Sequence, residues 1–288
     1  MENREKIREA LDRIKAGLES IDTDEGWLEF LRFQSSFYNY SFRNTMLIFA
    51  QRPGATYVRG YRAWNEMGRH VRRGSRGIKI LCPCIYRKKT GDVKPDTADG
   101  IETDETSVLT GFRIGNVFDI SDTEGDDASL PVLVRGMSGG GYEEARLYEK
   151  IKTHVEKEYP VREESAQSAV KGTYHIERKE ITVQSNLELK QKIKTLLHEY
   201  SHAVDYQLHP DEDIPRCRRE LVAESSAFVV SSWLGIDTAE YSIPYIKTWQ
   251  SDGTDMLNTA DSIQKVAGSI IKGLDECVDL RKEEDRER

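Results

Sequence analysis

Residues 186–210, NLELKQKIKTLLHEYSHAVDYQLHP, leave little choice of local structure. Leu189, Ile193, Leu196, Leu197 and Val204 recur at helical spacing, Asn186 is placed to cap a helix, and Pro210 forbids continuation, so a helix is predicted over about 186–208. On it His198 and His202 stand one turn apart on the same face. Both imidazoles can then reach one Zn²⁺ at about 2.0–2.1 Å. Glu199 is rotated about 100° from His198, beside the open coordination position, where a general base can take a proton from an attacking water. With six His in the chain, a chance H-E-x-x-H is expected in roughly one such sequence in a hundred. The alternative reading is a pair of surface histidines on a charged helix.

A third protein ligand is offered by the next helix. PRCRRELVAESSAFVVSSWLGI starts with Pro215 in the first turn and stops at Gly235. Glu220 and Glu224 are four apart and share a face. Unpaired acids resist burial on a helix this apolar, and a metal plus a histidine ring N–H would satisfy both. ELVAE resembles the E-x-x-A-D/E/N helix of gluzincin metallopeptidases, which implies Glu220 as ligand and Glu224 as the brace of a ligand histidine. Spacing alone leaves the swapped order open, as well as a solvated pair facing Arg218 and Arg219. Upstream, GTYHIERKEITV alternates like a strand pair, a candidate edge for an extended peptide. His175 reads as a strand-surface residue. Tyr206, His209 and Tyr241 are all possible oxyanion stabilisers.

Charge is unevenly distributed. The 288 residues carry 42 Lys and Arg against 50 Asp and Glu, a net −8 that argues against a wholly basic nucleic-acid coat. Yet ten basic residues (Arg59, Arg62, Arg69, Arg72, Arg73, Arg76, Lys79, Arg87, Lys88, Lys89) face one acid, Glu66, within 59–89, a local +9. Tyr57, Tyr61, Trp64 and Tyr86 are interleaved, with Tyr40, Arg43 and Asn44 upstream. Cations that track a phosphate backbone and aromatic faces for bases are the requirements of sequence-tolerant single-strand binding. A solvated basic hairpin with Trp64 and Tyr61 in the core is the alternative.

Ile7, Leu11, Ile14, Leu18 and Ile21 mark an amphipathic first helix, and further helices are predicted near 25–37, 41–51, 142–158 and 255–282. ATYVRG, IKILCPCIYR and GFRIGNVFDIS read as strands, with a polar, acidic hairpin tip at 90–110. The acidic, Gly-rich stretch at 126–141 reads as a linker between domains at 1–125 and 142–288, giving an α+β chain of two domains. No window approaches the roughly 18 apolar residues that span a bilayer, and the charged start is unlike a signal peptide, so a cytoplasmic protein without membrane partners is expected. Four Cys do not make a disulfide framework in a chain of this size.

Together the halves resemble a known family. YSFRNTMLIFAQRPGATYVRGYRAWNEMGRHVRRGSRGIKILCP followed by GFRIGNVFDISDTEG is similar to the N-terminal domain of the ArdC antirestriction family. LLHEYSHAVD with RRELVAESSAFVVSSWLGIDTAEYSIPYIKTW resembles that family's C-terminal metallopeptidase domain, related to the ImmA/IrrE peptidases. The resemblance implies a single-stranded-DNA-binding domain joined to a zincin-like zinc metallopeptidase domain with an unidentified protein substrate, carried on mobile elements and protecting incoming DNA from host restriction. The acidic insert at 90–110 departs from the family pattern. Two other readings stay open: an ImmA-like peptidase that cleaves a repressor, and a DNA shield with a merely structural zinc site.

Overall fold

The computed structural model describes residues 2–21, 23–87, 107–127, 130, 141–165, 170–210, 213–238 and 256–277. The chain forms two compact units, one of residues 1–18 and 46–129 and one of residues 19–45 and 130–288. Residues 19–45 thus sit with the second unit although they precede most of the first in sequence. Most of the expected linker (131–140) and the bulk of the expected hairpin tip (88–106) lie outside the described residues. At least Ser107–Thr110 of that tip is strand, because its pairing with the preceding strand continues to Arg87↔Ser107.

In the first unit, α1 (Glu2–Ser20) buries Ala10, Ile14 and Leu18, while Leu11 of the expected stripe is exposed. Gly17 admits the thioether of Met46 from α3 (Phe42–Gln51), since a Cβ there would stand 2.6 Å from Met46 Sδ. An antiparallel sheet in the order β1-β4-β3 is built from β1 (Val58–Gly60), β3 (Ile78–Arg87) and β4 (Ser107–Asp119). Gln51 covers part of the β3 edge, donating to Lys79 O at 2.9 Å and accepting from Lys79 N at 3.0 Å. A short ribbon, β2 (Arg69–Val71) with β5 (Thr123–Gly125), is too brief to show in the pattern of the sequence. Between β1 and β2 lies α4 (Tyr61–Glu66), whose Trp64 is fully buried.

The second unit is mainly helical: α2 (Asp24–Ser36), α5 (Gly141–Val155), α6 (Leu189–Leu208), α7 (Arg216–Trp233) and α8 (Met256–Cys277). Its sheet has the order β6-β8-β7, from β6 (Val161–Glu164), β7 (Gly172–His175) and β8 (Glu180–Gln184), with β6 parallel and β7 antiparallel to β8. Asn186 does not cap α6. It falls in a turn after β8, and the helix begins at Leu189. Pro215 stands at the cap position of α7, which ends where Gly235 takes a φ of 76°. From Leu221 to Ser231 every residue of α7 is buried, so the helix runs through the core and fixes its two acids against rigid neighbours. Among the described residues no helix is long and apolar enough to cross a membrane.

Candidate functional site

α6 and α7 bring His198, His202 and Glu220 together. One donor atom from each lies within 4.8 Å of the others, and Glu220 Oε2 is 3.5 Å from His198 Nε2 and 3.4 Å from His202 Nε2. Donors about 2.0–2.1 Å from a tetrahedral ion stand about 3.4 Å from one another, and the acid keeps that spacing from both rings. The other face of His198 is held by Glu224, whose Oε2 is 3.1 Å from Nδ1. With Glu224 ionised, Nδ1 donates, leaving Nε2 as the nitrogen turned to the cluster. Glu224 is buried and Glu220 half-buried. Lys194 Nζ lies 2.5 Å from Glu224 Oε1, so the brace itself has a cation behind it. Lys194 escaped the sequence reading. It is one turn before His198 on the same face, and that spacing was the available signal.

The four groups shape one another's protonation. Burial lowers the basicity of His198, but hydrogen bonds to Glu220 and Glu224 outweigh it and raise its pKa to about 9. Burial of Glu224 favours its neutral form, yet His198 and Lys194 pull its pKa down to about 2. Hydrogen bonds to His198 and His202 hold Glu220 well below the usual carboxylate range. Glu199 goes the other way: it is buried, and desolvation raises its pKa despite the nearby histidines and a hydrogen bond from the Tyr174 main-chain N–H. Burial and pairing thus separate the two acids, raising Glu199 and holding Glu220 down.

These residues line a cleft of about 950 Å³ with Gly172, Thr173 and Tyr174 of β7 along it. Arg219, buried, donates to Asp205 Oδ2 at 2.8 Å and to His209 O at 3.3 Å and stacks 4.0 Å over the Tyr206 ring, tying the end of α6 to α7. His209 Nδ1 is 3.0 Å from Asp205 Oδ1, which commits it to this clamp, whereas Tyr206 lines the cleft. Tyr241 lies outside the described residues.

The first unit displays the basic segment. Arg59, Tyr61, Arg62, Arg72, Arg73 and Arg76 are exposed and Lys79 is half-buried. Arg59 donates to Tyr57 Oη at 2.7 Å and lies over that ring at 5.2 Å. Two expected contact residues are instead interior. Trp64 is fully buried and its indole N–H donates to Phe118 O at 2.9 Å. Arg69 is buried, donating to Thr123 Oγ1 at 2.9 Å, to Gly125 O at 3.2 Å and to the Asp127 carboxylate. Desolvating that guanidinium requires this full set of acceptors, which leaves it unsuited to phosphate. Tyr40, half-buried near Phe37, together with exposed Arg43 and half-buried Asn44, belongs to the second unit. Lys88 and Lys89 lie outside the described residues.

Residues 3–118 match the family model described as the N-terminal domain of anti-restriction factor ArdC. The chain carries an ArdC-like N-terminal domain. An uncharacterized Bacillus anthracis protein, pXO2-81, is 27% identical over 325 residues, covering 99% of this chain and 54% of its own length, so this chain spans about half of that relative. Crystal structures of antirestriction ArdC from plasmid R388 align over 82% of this chain. The metal-free form does so with a TM-score of 0.46, 16% identity and 86% of its own length covered. The Mn(II)-bound form gives 0.45, 15% and 89%. The stretch matched by the family model includes every exposed arginine named above.

Proposed function

We propose that this protein binds single-stranded DNA through the exposed basic surface of its first unit and that its second unit is a zincin-like, divalent-metal-dependent peptidase, the two serving antirestriction. The observation that carries the reading is the convergence of His198, His202 and Glu220 within 4.8 Å, with buried Glu199 beside them in a cleft. The separations within the donor set fit a tetrahedral ion held by His198, His202 and Glu220. Two imidazoles and a carboxylate suit zinc and also other first-row divalent ions. A bound ion supplies Lewis acidity, polarising a carbonyl oxygen and acidifying water. Glu199 takes the proton of the water that attacks the peptide carbonyl and returns it to the departing amine. Glu224 orients His198 by accepting from its Nδ1–H, and the matched ArdC N-terminal domain supports DNA as the partner of the basic surface.

The test pairs metal analysis with turnover. Glu199→Gln is expected to keep stoichiometric metal while hydrolysis of casein falls by about 10²–10⁴-fold. Unchanged hydrolysis would remove Glu199 from the chemistry. In parallel, protection of incoming plasmid DNA is scored in a restricting host. Full protection by Glu199→Gln would assign antirestriction to DNA shielding rather than to peptide cleavage.

A further inference from the structure

β7 (Gly172–His175) is the outer strand of its sheet, and its open side forms part of the cleft. Lys171 O accepts from Gln184 N at 2.9 Å, and the register pairs Gly172 with Val183 and Tyr174 with Ile181. Alternation in an antiparallel ladder then turns the main-chain groups of Thr173 and His175 toward β8 and those of Gly172 and Tyr174 toward the cleft. On that side the Tyr174 N–H is turned toward Glu199, which abuts Gly172. The approach is possible because residue 172 has no side chain. A Cβ there would stand 2.5 Å from Thr195 Cγ2, 3.0 Å from Glu199 Cγ and 3.1 Å from Glu199 Oε1. Gly172 does not have positive φ, so the demand for glycine is steric rather than conformational. Thr195 is buried and β-branched, hence unable to swing aside, and the strand would have to move instead.

We propose that Gly172 is a positioning residue whose missing side chain seats β7 against α6, so that the Tyr174 amide latches the Glu199 carboxylate at the edge of the metal cluster. An extended chain laid along this edge meets a Tyr174 amide already engaged. The meaning of the latch for catalysis rests on Glu199 acting as the base, but the latch itself does not.

Amide hydrogen exchange of the full-length, metal-free protein tests it without any turnover. In the wild type the Tyr174 amide should be protected although it faces the cleft. Glu199→Ala should accelerate its exchange at least about tenfold while the Thr173 and His175 amides, which face β8, keep their rates. Gly172→Ala should do the same with Glu199 still present, and adding Thr195→Ser, which deletes the methyl that the new Cβ strikes, should restore part of the protection. Mn(II) affinity of Gly172→Ala should stay within about twofold of wild type, because the ligands sit on α6 and α7. An unchanged Tyr174 rate in Glu199→Ala overturns the latch. Wild-type protection of Tyr174 in Gly172→Ala overturns the role of Gly172, as does equal acceleration of all β7 amides, which would mean general loosening of the strand. Failure of the Glu199→Gln hydrolysis test would leave these exchange rates untouched, so the two readings fail separately.

Discussion

Glu224 is buried, joined to His198 by a 3.1 Å hydrogen bond on one oxygen and ion-paired to Lys194 on the other, and it is not among the three residues whose donor atoms converge. Its effect on a bound ion is therefore indirect, through the orientation and basicity of one imidazole. Glu224→Gln is expected to weaken Zn(II) or Mn(II) binding by about 10–100-fold, while Glu220→Gln, which alters a donor atom itself, weakens it further. Competition titration with a chelating dye measures both. Equal losses would mean that the two acids share one role. The same residue-scale logic separates Trp64 from Tyr61, neighbours on α4 that composition alone could not tell apart. Trp64→Ala should cost about 3–5 kcal/mol of stability, since removing a fully buried indole leaves a cavity. Tyr61, 55% exposed, should change stability by no more than about 0.5 kcal/mol when cut to Ala, and lose about 1–3 kcal/mol of single-strand affinity if a base stacks on it. Thermal melts and fluorescence-polarisation binding on the two variants would show whether the roles divide this way.

At the scale of elements, α6 was legible because its apolar spacing and Pro210 bracket it, and α7 because Pro215 and Gly235 do. The start of α6 is hidden because Asn186 has the chemistry of a cap but sits in the turn that leaves β8. β2, β5 and β6 were missed because three- and four-residue strands are specified by their partners, not by alternation. Long-range partners were equally silent: nothing in the string announces that Lys152, Lys192 and Tyr148 converge on Glu163. Lys192 Nζ is 2.5 Å from one carboxylate oxygen, while Lys152 Nζ at 3.2 Å and Tyr148 Oη at 3.0 Å share the other, which ties α5, β6 and α6 together. Burial works against ionisation of Glu163, but hydrogen bonds from Lys192, Lys152 and Tyr148 prevail and lower its pKa. A carboxylate depressed in the folded state adds stability above its unfolded pKa of about 4.3, and that stability is lost as pH falls through the lower folded value. Because solvent screens the ion pairs of this exposed residue, Glu163→Gln should cost about 0.5–1 kcal/mol at pH 7 and progressively less below about pH 4. Urea unfolding across pH 3–7 checks it, and a penalty constant with pH would show that packing, not charge, joins these elements.

For the whole molecule, the net charge of −8 and the +9 concentrated in 59–89 make opposite forecasts about nucleic acid. Screening decides between them: at physiological salt the Debye length is about 8 Å, so a phosphate on the first unit responds to the arginines beneath it rather than to distant acids. The structure narrows that set by withdrawing Arg69 into the interior and leaving Arg62, Arg73 and Arg76 exposed. Each phosphate neutralised on a single strand contributes about −0.7 to the slope of log affinity against log salt. Replacing Arg62, Arg73 and Arg76 together by Ala should flatten that slope by about 2 and weaken binding at 50 mM salt more than at 200 mM. Metal content should be unchanged, because none of the three belongs to the unit that holds His198, His202 and Glu220. A duplex of the same length should bind more weakly, since stacking on Tyr61 needs unpaired bases. A slope unaltered by the triple substitution would move the DNA contacts off this surface, and the acidic balance of the chain would then stand as the better guide.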